Sequence, residues 1–499
     1  MIIRYCLGLA AKSPATYDDL RYDKGKGTGV LILPSRRRLR DYKNYIRPKQ
    51  GFNHEIINEL ISKTEAFSDA ERFVILSLDE MKIQEDLVWD KHTGELVEFV
   101  DLGDTELSYG NFKGKTETLA SHVLVFLLRS VVNPMKFSLA NFGTTSASSF
   151  QLFPLFWKAV SILELQCNLK VISVTCDGAS ANRRFFKIHQ HLNEEVPSAT
   201  SVVHKVKNMF STDDRYIYFI ADPPHLMKTT RNCLHNSGSG KQSRLMWNDG
   251  QSILWRRIFD IYREDQECGL HLLPRLTEDH MQLNSYSVMN VRFAVQVLSS
   301  TVAGVLQQFG PKEAAATSKF CSMMDSCFDC MNVRNLTEGQ RKLKPFLQPY
   351  RSSNDTRFEW LQETFLGYLK SWKDSVANRV GEFSDSDRAK IFMSLQTYEG
   401  LQITSLSLIE CIQYLLSNGV QYVLTERFCQ DGLENYFGHQ RSMGRRKDNP
   451  TLRDFGFNDN TIRNQKEVRS IIGGNSQEEQ SSNQLDCTPL PCRKKQKKI

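Results

Sequence analysis

Three acidic residues are the strongest candidates for chemistry in this chain. One short apolar run ends at Asp79 and a second ends at Asp177, while Glu434 lies far downstream, with Asp431 one turn before it on the same face of a predicted helix. Carboxylates from separate elements suit Mg²⁺ or Mn²⁺, which prefer oxygen ligands. Two such ions about 3.5–4 Å apart stabilise both the attacking and the leaving oxygen of a phosphodiester reaction. Spacing alone leaves open that each acid only caps a helix or ends a strand.

The elements that must position these acids follow from hydrophobic periodicity. Apolar or alternating runs predict strands, which cover residues 73–79, 81–89, 95–100, 122–129, 170–177 and 216–220. A turn that ends in Gly94 is expected to join the second and third of these strands into a hairpin. Helical spacing predicts helices over 150–165, 182–191 and 430–443, and about 200 residues after 220 are mostly helical, with Met289–Phe309 the most clearly amphipathic stretch.

Length and composition limit the class of protein. A chain of 499 residues needs two or three domains, and a net charge of +7 fits a polyanionic partner. No run approaches the roughly 18 apolar residues of a membrane span, so no membrane partner is predicted. Twelve irregularly spaced cysteines do not resemble a disulfide framework, which favours a reduced, intracellular protein.

Two basic clusters are candidates for DNA contact. Ser35 is a plausible N-cap of a helix whose cations include Arg36, Arg37, Arg38, Arg40 and Lys43. A second cluster follows the last acid and contains Arg441, Arg445 and Arg446. Such cations can neutralise DNA phosphates, although a solvated basic face is an equally open alternative. The basic run at 493–498 favours a nuclear import signal over a solvated tail.

Four motifs together resemble the P-element-type DNA transposase family, which includes the THAP-domain transposases. They are SLDEMKI at 77–83, CDGASAN at 176–182, DPPHLMKTTRN at 222–232 and GLENYFG at 432–438. The resemblance implies an α/β fold, with an RNase H-like mixed sheet and flanking helices interrupted by a large, mostly α-helical insertion. It also implies an acidic triad of the DDE/D type, which falls on Asp79, Asp177 and Glu434 as catalytic and metal-binding residues.

The function implied by this resemblance is that of a DNA transposase core. Such an enzyme cleaves and transfers transposon DNA with Mg²⁺ or Mn²⁺, takes GTP as a cofactor, binds transposon ends and target DNA as a homo-oligomer, and works in the nucleus. The alternatives are a domesticated or truncated relative that binds DNA and nucleotide without cleavage, and a scaffold regulated by guanine nucleotide. A zinc-binding THAP finger is not expected, because Cys6 stands alone before residue 72.

The same resemblance suggests a domain plan. Residues 1–70 form a helical DNA-binding or linker region, 71–200 the first part of the catalytic domain, 201–425 the GTP-binding insertion, 426–472 the final helical part of the catalytic domain, and 473–499 a disordered basic tail.

Guanine nucleotide is expected to contact residues on the third motif and before the last acid. The candidates are Asp222, Lys228, Asn232 and Asp431. The first three also fit a capped, half-buried helix with no ligand, since Asp222 precedes two prolines. Gly238–Ser243 only mimics a phosphate loop, because the required first glycine and the hydroxyl residue after the lysine are missing. The cysteines between Cys321 and Cys330 are predicted to be core residues rather than zinc ligands.

Overall fold

The fold is that of a computed structural model. The structure describes residues 2–23, 25, 27–43, 48–86, 88–90, 95–97, 100, 102, 118–192, 202–238, 243–443 and 449–466. These residues divide into two compact units. Unit 1 consists of the described residues within Met1–Ser68, Ser77–Leu169 and Gly432–Ile499. Unit 2 consists of those within Asp69–Leu76 and Lys170–Asp431.

A mixed β-sheet is the main architectural element. The strands are β1 Phe73–Lys82, β2 Val88–Asp90, β3 Glu95–Val97, β4 His122–Ser130, β5 Lys136–Thr144, β6 Lys170–Cys176, β7 Lys205–Lys207, β8 Tyr216–Ala221, β9 Trp247–Asn248 and β10 Gln251–Ser252. Among the described residues the large sheet has the order β5-β4-β1-β6-β8-β7, and β2 and β3, like β9 and β10, form separate antiparallel pairs. β4 and β5 are antiparallel, β6 and β8 are parallel, and β7 runs antiparallel to β8. The α/β mixed sheet expected from the sequence is therefore present.

Most of the strand predictions are confirmed. The runs ending at Asp79 and Asp177 form β1 and β6, and the runs at 122–129 and 216–220 form β4 and β8. A single strand over 81–89 is wrong, because β1 continues through Lys82 and only the last residues of that range belong to β2. The described part of the third predicted strand forms β3 over Glu95–Val97. β5 was not predicted, because polar Ser138 and Asn141 interrupt its apolar pattern.

Within its described residues, unit 1 contains five helices before β6. They are α1 Ile2–Lys12, α2 Pro14–Leu20, α3 Arg36–Lys43, α4 His54–Thr64 and α5 Ser149–Ser161. A π-helical turn, Ile162–Gln166, continues α5. A small core of Cys6, Leu7, Tyr17 and Leu39 joins the first three helices, which explains why Cys6 is buried.

Unit 2 is mostly helical after β8, as the sequence predicts. Its helices are α6 Ser180–Ile188, α7 Pro223–His235, α8 Trp255–Glu267, α9 Glu278–Met281, α10 Val291–Val297, α11 Ser300–Phe309, α12 Ala315–Met331, α13 Glu338–Arg341, α14 Thr356–Glu359, α15 Leu366–Ala377, α16 Asp385–Ile391 and α17 Leu395–Ser417. The amphipathic stretch at 289–309 consists of α10 and α11, with a break between them. Cys321, Cys327 and Cys330 are buried on α12, which confirms that they are core residues.

Two helices complete the described chain. They are α18 Asp431–Ser442 and α19 Leu452–Lys466. The first confirms the helix predicted over 430–443. The second was missed, because its sequence is rich in asparagine and charged residues and carries only a few apolar positions.

Several predictions fall outside the described residues. They concern the turn before Gly94, most of the loop at 238–243, Arg445 and Arg446, and the basic tail. Lys43 ends α3, but its side chain also lies outside the described set. Of the helices that are described, none combines the length and the apolar character needed to cross a membrane.

A buried histidine should make the fold sensitive to acid. His189 is fully buried between the rings of Phe185 and Phe219, both 4.9 Å away between centroids, and burial lowers the pKa of His189 to about 4. The unfolded chain takes up a proton near pH 6.5, while the folded histidine stays neutral down to about pH 4. The stabilisation is therefore complete above pH 6.5 and is lost as the pH falls towards 4, by about 3 kcal/mol.

Urea unfolding at pH 7 and at pH 5 measures this effect. We expect the free energy of unfolding to fall less between the two pH values in His189→Phe than in the wild type, because phenylalanine fits the aromatic surroundings and cannot be protonated. Equal losses in the two proteins would show that His189 is not responsible.

Candidate functional site

Asp79 lies on the face of β1 that a helix covers. The first six residues of β1 are buried, and the half-buried Asp79 accepts a hydrogen bond of 2.8 Å from the backbone N–H of Glu80. Side chains two residues apart point to the same face of a strand. Met81 and Ile83 pack in one cluster with Leu433 of α18, so Asp79 faces the side of β1 on which α18 lies.

Glu80, which the sequence did not single out, fixes the strand on its other face. Its carboxylate accepts hydrogen bonds from the hydroxyl of Thr144 at 2.5 Å and from the N–H of Ala147 at 2.9 Å. A charged acceptor that ties three segments together holds the end of β1 in a defined position. Adjacent Asp79 is positioned with it.

Glu434 is exposed at the start of α18, next to residues that anchor the helix. Leu433, Tyr436 and Phe437 are buried in the cluster that also contains Met81. The Tyr436 hydroxyl donates a hydrogen bond of 2.7 Å to Asp459 of α19, and its pKa is raised well above the usual value by burial. The helix that carries Glu434 is therefore held rigidly in unit 1.

In unit 2, Asp177 directly follows β6 and begins the turn into α6. Its Oδ1 accepts hydrogen bonds from the N–H of Ala179 at 2.8 Å and from the Asn182 amide at 2.6 Å. The ring of His225 packs against this turn, since a Cβ on Gly178 would lie 3.4 Å from it, in ordinary van der Waals contact. Burial, followed by the charge of Lys228, lowers the pKa of His225, while Asp177 opposes the shift.

Asp222 connects the end of β8 to the segment that leads into α18. Its Oδ2 accepts the N–H of His225 at 3.0 Å, which confirms the predicted N-cap of α7. Its Oδ1 accepts the N–H of Gln430 at 2.8 Å. The hydroxyl of Thr175 in β6 also donates to the carbonyl of Phe428, at 2.8 Å. The chain just before α18 is thus anchored at the ends of β6 and β8, where Asp177 lies.

The other predicted nucleotide contacts, Lys228, Asn232 and Asp431, lie in unit 2. Lys228 is buried, with 9% of its surface exposed. The Asn232 amide donates to the carbonyl of Val288 at 3.4 Å. Asp431 pairs with Arg334 at 3.1 Å. Their contact with guanine nucleotide stays a prediction, as does that of Asp222.

Metal binding also stays a prediction. Within the described part of the chain, no three His, Cys, Asp or Glu side chains are grouped closely enough to hold a metal ion. The chemistry of the donor set nevertheless fits a hard divalent cation, since Asp79, Asp177 and Glu434 offer only carboxylate oxygens. Both of the hydrogen bonds given above for Asp177 use Oδ1, and each bond holds the carboxylate in a fixed orientation.

The first basic cluster forms the outer face of α3. Arg36, Arg37, Arg38 and Arg40 are exposed, whereas Leu39 is buried. The predicted cap is present, since the Ser35 hydroxyl accepts the N–H of Arg38 at 3.3 Å. Arg36 pairs with Asp18, and its Nε lies 2.9 Å from the carboxylate. Of the second cluster, the structure describes Arg441, which is exposed at the end of α18.

Two models of protein families match this chain. A family described as TNP-like, RNase H N-terminal domain matches residues 48–190, and one described as TNP-like, GTP-binding insertion domain matches residues 224–344. Together they cover slightly more than half of the chain.

Curated relatives agree with these families. The Transposable element P transposase of Drosophila melanogaster is 23% identical over 91% of this chain and 52% of its own length. The DNA transposase THAP9 of Homo sapiens is 23% identical over 61% of this chain and 32% of its own length. The chain therefore spans about half, or less, of the length of the curated relatives it matches.

A solved structure shows the same fold. The Drosophila P element transposase strand transfer complex superposes with a TM-score of 0.70, covering 92% of this chain and 90% of that chain at 20% identity. The expected RNase H-like fold with a large, mostly helical insertion is confirmed.

Proposed function

Because the chain belongs to the P-element-type DNA transposase family, we propose that it is a metal-dependent transposase core with a DDE/D-type triad of Asp79, Asp177 and Glu434. The reaction is hydrolysis of a strand at the transposon end, followed by attack of the new 3′-hydroxyl on target DNA. The observation that carries the proposal is that Asp79 faces the side of β1 covered by α18, the helix that bears Glu434.

Each acid has a defined support. Glu80 fixes the end of β1, which carries Asp79. The amide of Asn182 orients the Asp177 carboxylate. Tyr436 anchors the helix of Glu434 by its hydrogen bond to Asp459. The three carboxylates would hold Mg²⁺ or Mn²⁺, and such ions when bound stabilise charge on the attacking and leaving oxygens. These supports hold the elements that carry the three acids, and binding of the metal would require the three carboxylates to come together around it.

Guanine nucleotide is the second proposed ligand. The family that matches residues 224–344 is described as a GTP-binding insertion domain. Lys228 and Asn232 lie one turn apart on α7, so both can face a nucleotide from the same helix. Asp222 at the end of β8 and Asp431 at the start of α18 complete the proposed contacts.

The remaining partners are proposed on the same family grounds. Transposon ends and target DNA are the substrates, the protein works as a homo-oligomer on DNA, and it acts in the nucleus. The domain boundaries predicted from the sequence are part of this proposal.

A cleavage assay tests the proposal. The purified chain is incubated with GTP and with DNA that carries the inverted repeats flanking its gene, in Mg²⁺, in Mn²⁺ or in EDTA. We expect strand cleavage with either metal and none in EDTA. DNA and GTP binding without cleavage in any metal would instead favour the domesticated, non-cleaving alternative. Absence of GTP binding by calorimetry would exclude the guanine-nucleotide scaffold.

The exposed face of α3 is proposed to contact DNA phosphates. We expect Arg37→Gln, Arg38→Gln and Arg40→Gln together to weaken DNA binding and to reduce the slope of log K against log salt by about 2–3, because each phosphate contact releases counterions. Fluorescence anisotropy over a range of salt concentrations measures both quantities.

A charge-matched triple variant controls for the net charge. Arg256, Lys312 and Arg341 are exposed on other helices of the chain. Their replacement by glutamine removes the same charge and should leave the salt slope unchanged. Equal slopes for both triple variants would show that α3 is only a solvated basic face.

A further inference from the structure

A pocket of unit 1 lies outside the acidic site. It opens between the loop that leads into α4, the strand β5 and the end of α5, and its volume is about 480 Å³. This volume falls in the range of sites for small ligands. Its floor is apolar and buried, formed by Ile57, Leu102, Phe142 and Ile162.

The rim of this pocket carries the cation Lys158. Its exposed ammonium lies 5.7 Å from the ring centroid of Phe52. His54 is exposed at the start of α4, and its Nδ1 accepts a hydrogen bond of 2.9 Å from the Asn58 amide. Among the described residues that line the pocket, none carries a carboxylate. An apolar floor beneath a positive rim is complementary to a ligand with an apolar body and an anionic group.

Aromatic side chains shape one wall. Phe52 and Phe142 meet edge to face, with centroids 5.4 Å apart and an angle of 73°. Phe52 is only half-buried. Its partly exposed ring offers a surface on which a planar ring can stack, next to the Lys158 charge.

The walls are held in place before any ligand binds. Gly51 adopts a φ of +84° and donates its N–H to the carbonyl of Asn141 at 2.7 Å, and Gln50 accepts the N–H of Gly143 at 2.7 Å. On the other side, the π-helical turn at the end of α5 contributes Ile162 and Gln166. Such turns are uncommon and recur at functional sites.

We propose that this pocket binds an aromatic phosphate monoester, namely a single nucleoside 5′-phosphate unit. The planar base stacks on Phe52 above the apolar floor. At the rim the phosphate pairs with Lys158 and accepts a hydrogen bond from the Nε2–H of His54. The same unit occurs as a free nucleotide and at the 5′ end of a DNA strand. The site is separate from the guanine-nucleotide residues of unit 2, and it does not depend on cleavage activity.

Equilibrium dialysis with labelled dAMP tests this site, with saturating GTP present to fill the nucleotide site of the insertion. We expect saturable binding with a Kd of about 1 mM or lower, and at least about tenfold weaker binding of deoxyadenosine, because the phosphate makes charge-assisted contacts. Competition by a 5′-phosphorylated oligonucleotide at lower concentrations than dAMP identifies a DNA end as the ligand. Competition only by free nucleotide identifies the small molecule.

Two variants locate the binding. Lys158→Met removes the rim charge, and Gln166→Trp narrows the opening from an exposed position, so neither requires a change in the core. We expect each to weaken dAMP binding at least about tenfold. The control is Lys319→Met, which removes an exposed lysine 5.4 Å from the ring of Tyr368 and should bind as the wild type does. No saturable binding of dAMP, or equal binding by all three variants, would overturn the proposal.

Discussion

Asp177→Asn should reduce strand cleavage on the order of 10³-fold, because it removes a negative ligand where metal ions stabilise the charged oxygens. The asparagine keeps Oδ1, which can still accept the N–H of Ala179 and the amide of Asn182. The turn after β6 should therefore survive, and the free energy of unfolding should change little. Single-turnover cleavage of labelled DNA in Mg²⁺ measures the rate.

Asp79→Asn and Glu434→Gln should show losses of similar size for the same reason. Asp214→Asn is the matched control, since this acid is 74% exposed and pairs with the exposed Lys207 at 3.0 Å. We expect it to cleave at the wild-type rate. Rates near that of the wild type in all three triad variants would refute the proposed enzyme.

The largest effect on stability is expected from Asp222→Ala. Asp222 is 2% exposed, and its two oxygens accept the N–H groups of His225 and Gln430. Alanine leaves both donors buried without this acceptor and removes the N-cap of α7, which should cost about 3 kcal/mol. Urea unfolding of the wild type and the variant measures the loss.

Asp222→Asn separates the structural role from a role in nucleotide binding. The amide keeps one acceptor, so we expect a smaller loss of stability than in the alanine variant. If Asp222 has only a structural role, the loss of GTP affinity in each variant should be proportional to its loss of folding stability. A stable Asp222→Ala protein with greatly weakened GTP binding would show that Asp222 is chiefly a nucleotide ligand.

Local sequence patterns predicted the strands that deliver two of the acids. The apolar runs before Asp79 and Asp177 have the length and β-branched content of buried strands, and both form as expected. The cap at Asp222 was also predictable, because two prolines follow it. In each case the determining residues are adjacent in the chain.

Features built from distant segments could not be predicted in this way. The carboxylate of Asp222 binds Gln430, which is 208 positions away. The hydrogen bond from Thr144 to Glu80 depends on β5. This strand was not predicted, because its sequence mixes polar and apolar residues without a regular hydrophobic pattern. The pocket beside Phe52 likewise draws its walls from four separate segments, so no local motif marks it.

The measurement that most directly tests the triad is anomalous diffraction from crystals of the wild-type chain soaked in Mn²⁺. We predict two peaks about 3.5–4 Å apart, at coordination distance from the carboxylates of Asp79, Asp177 and Glu434. Peaks confined to other carboxylates, with these three acids carrying no bound ion, would contradict the proposed active site.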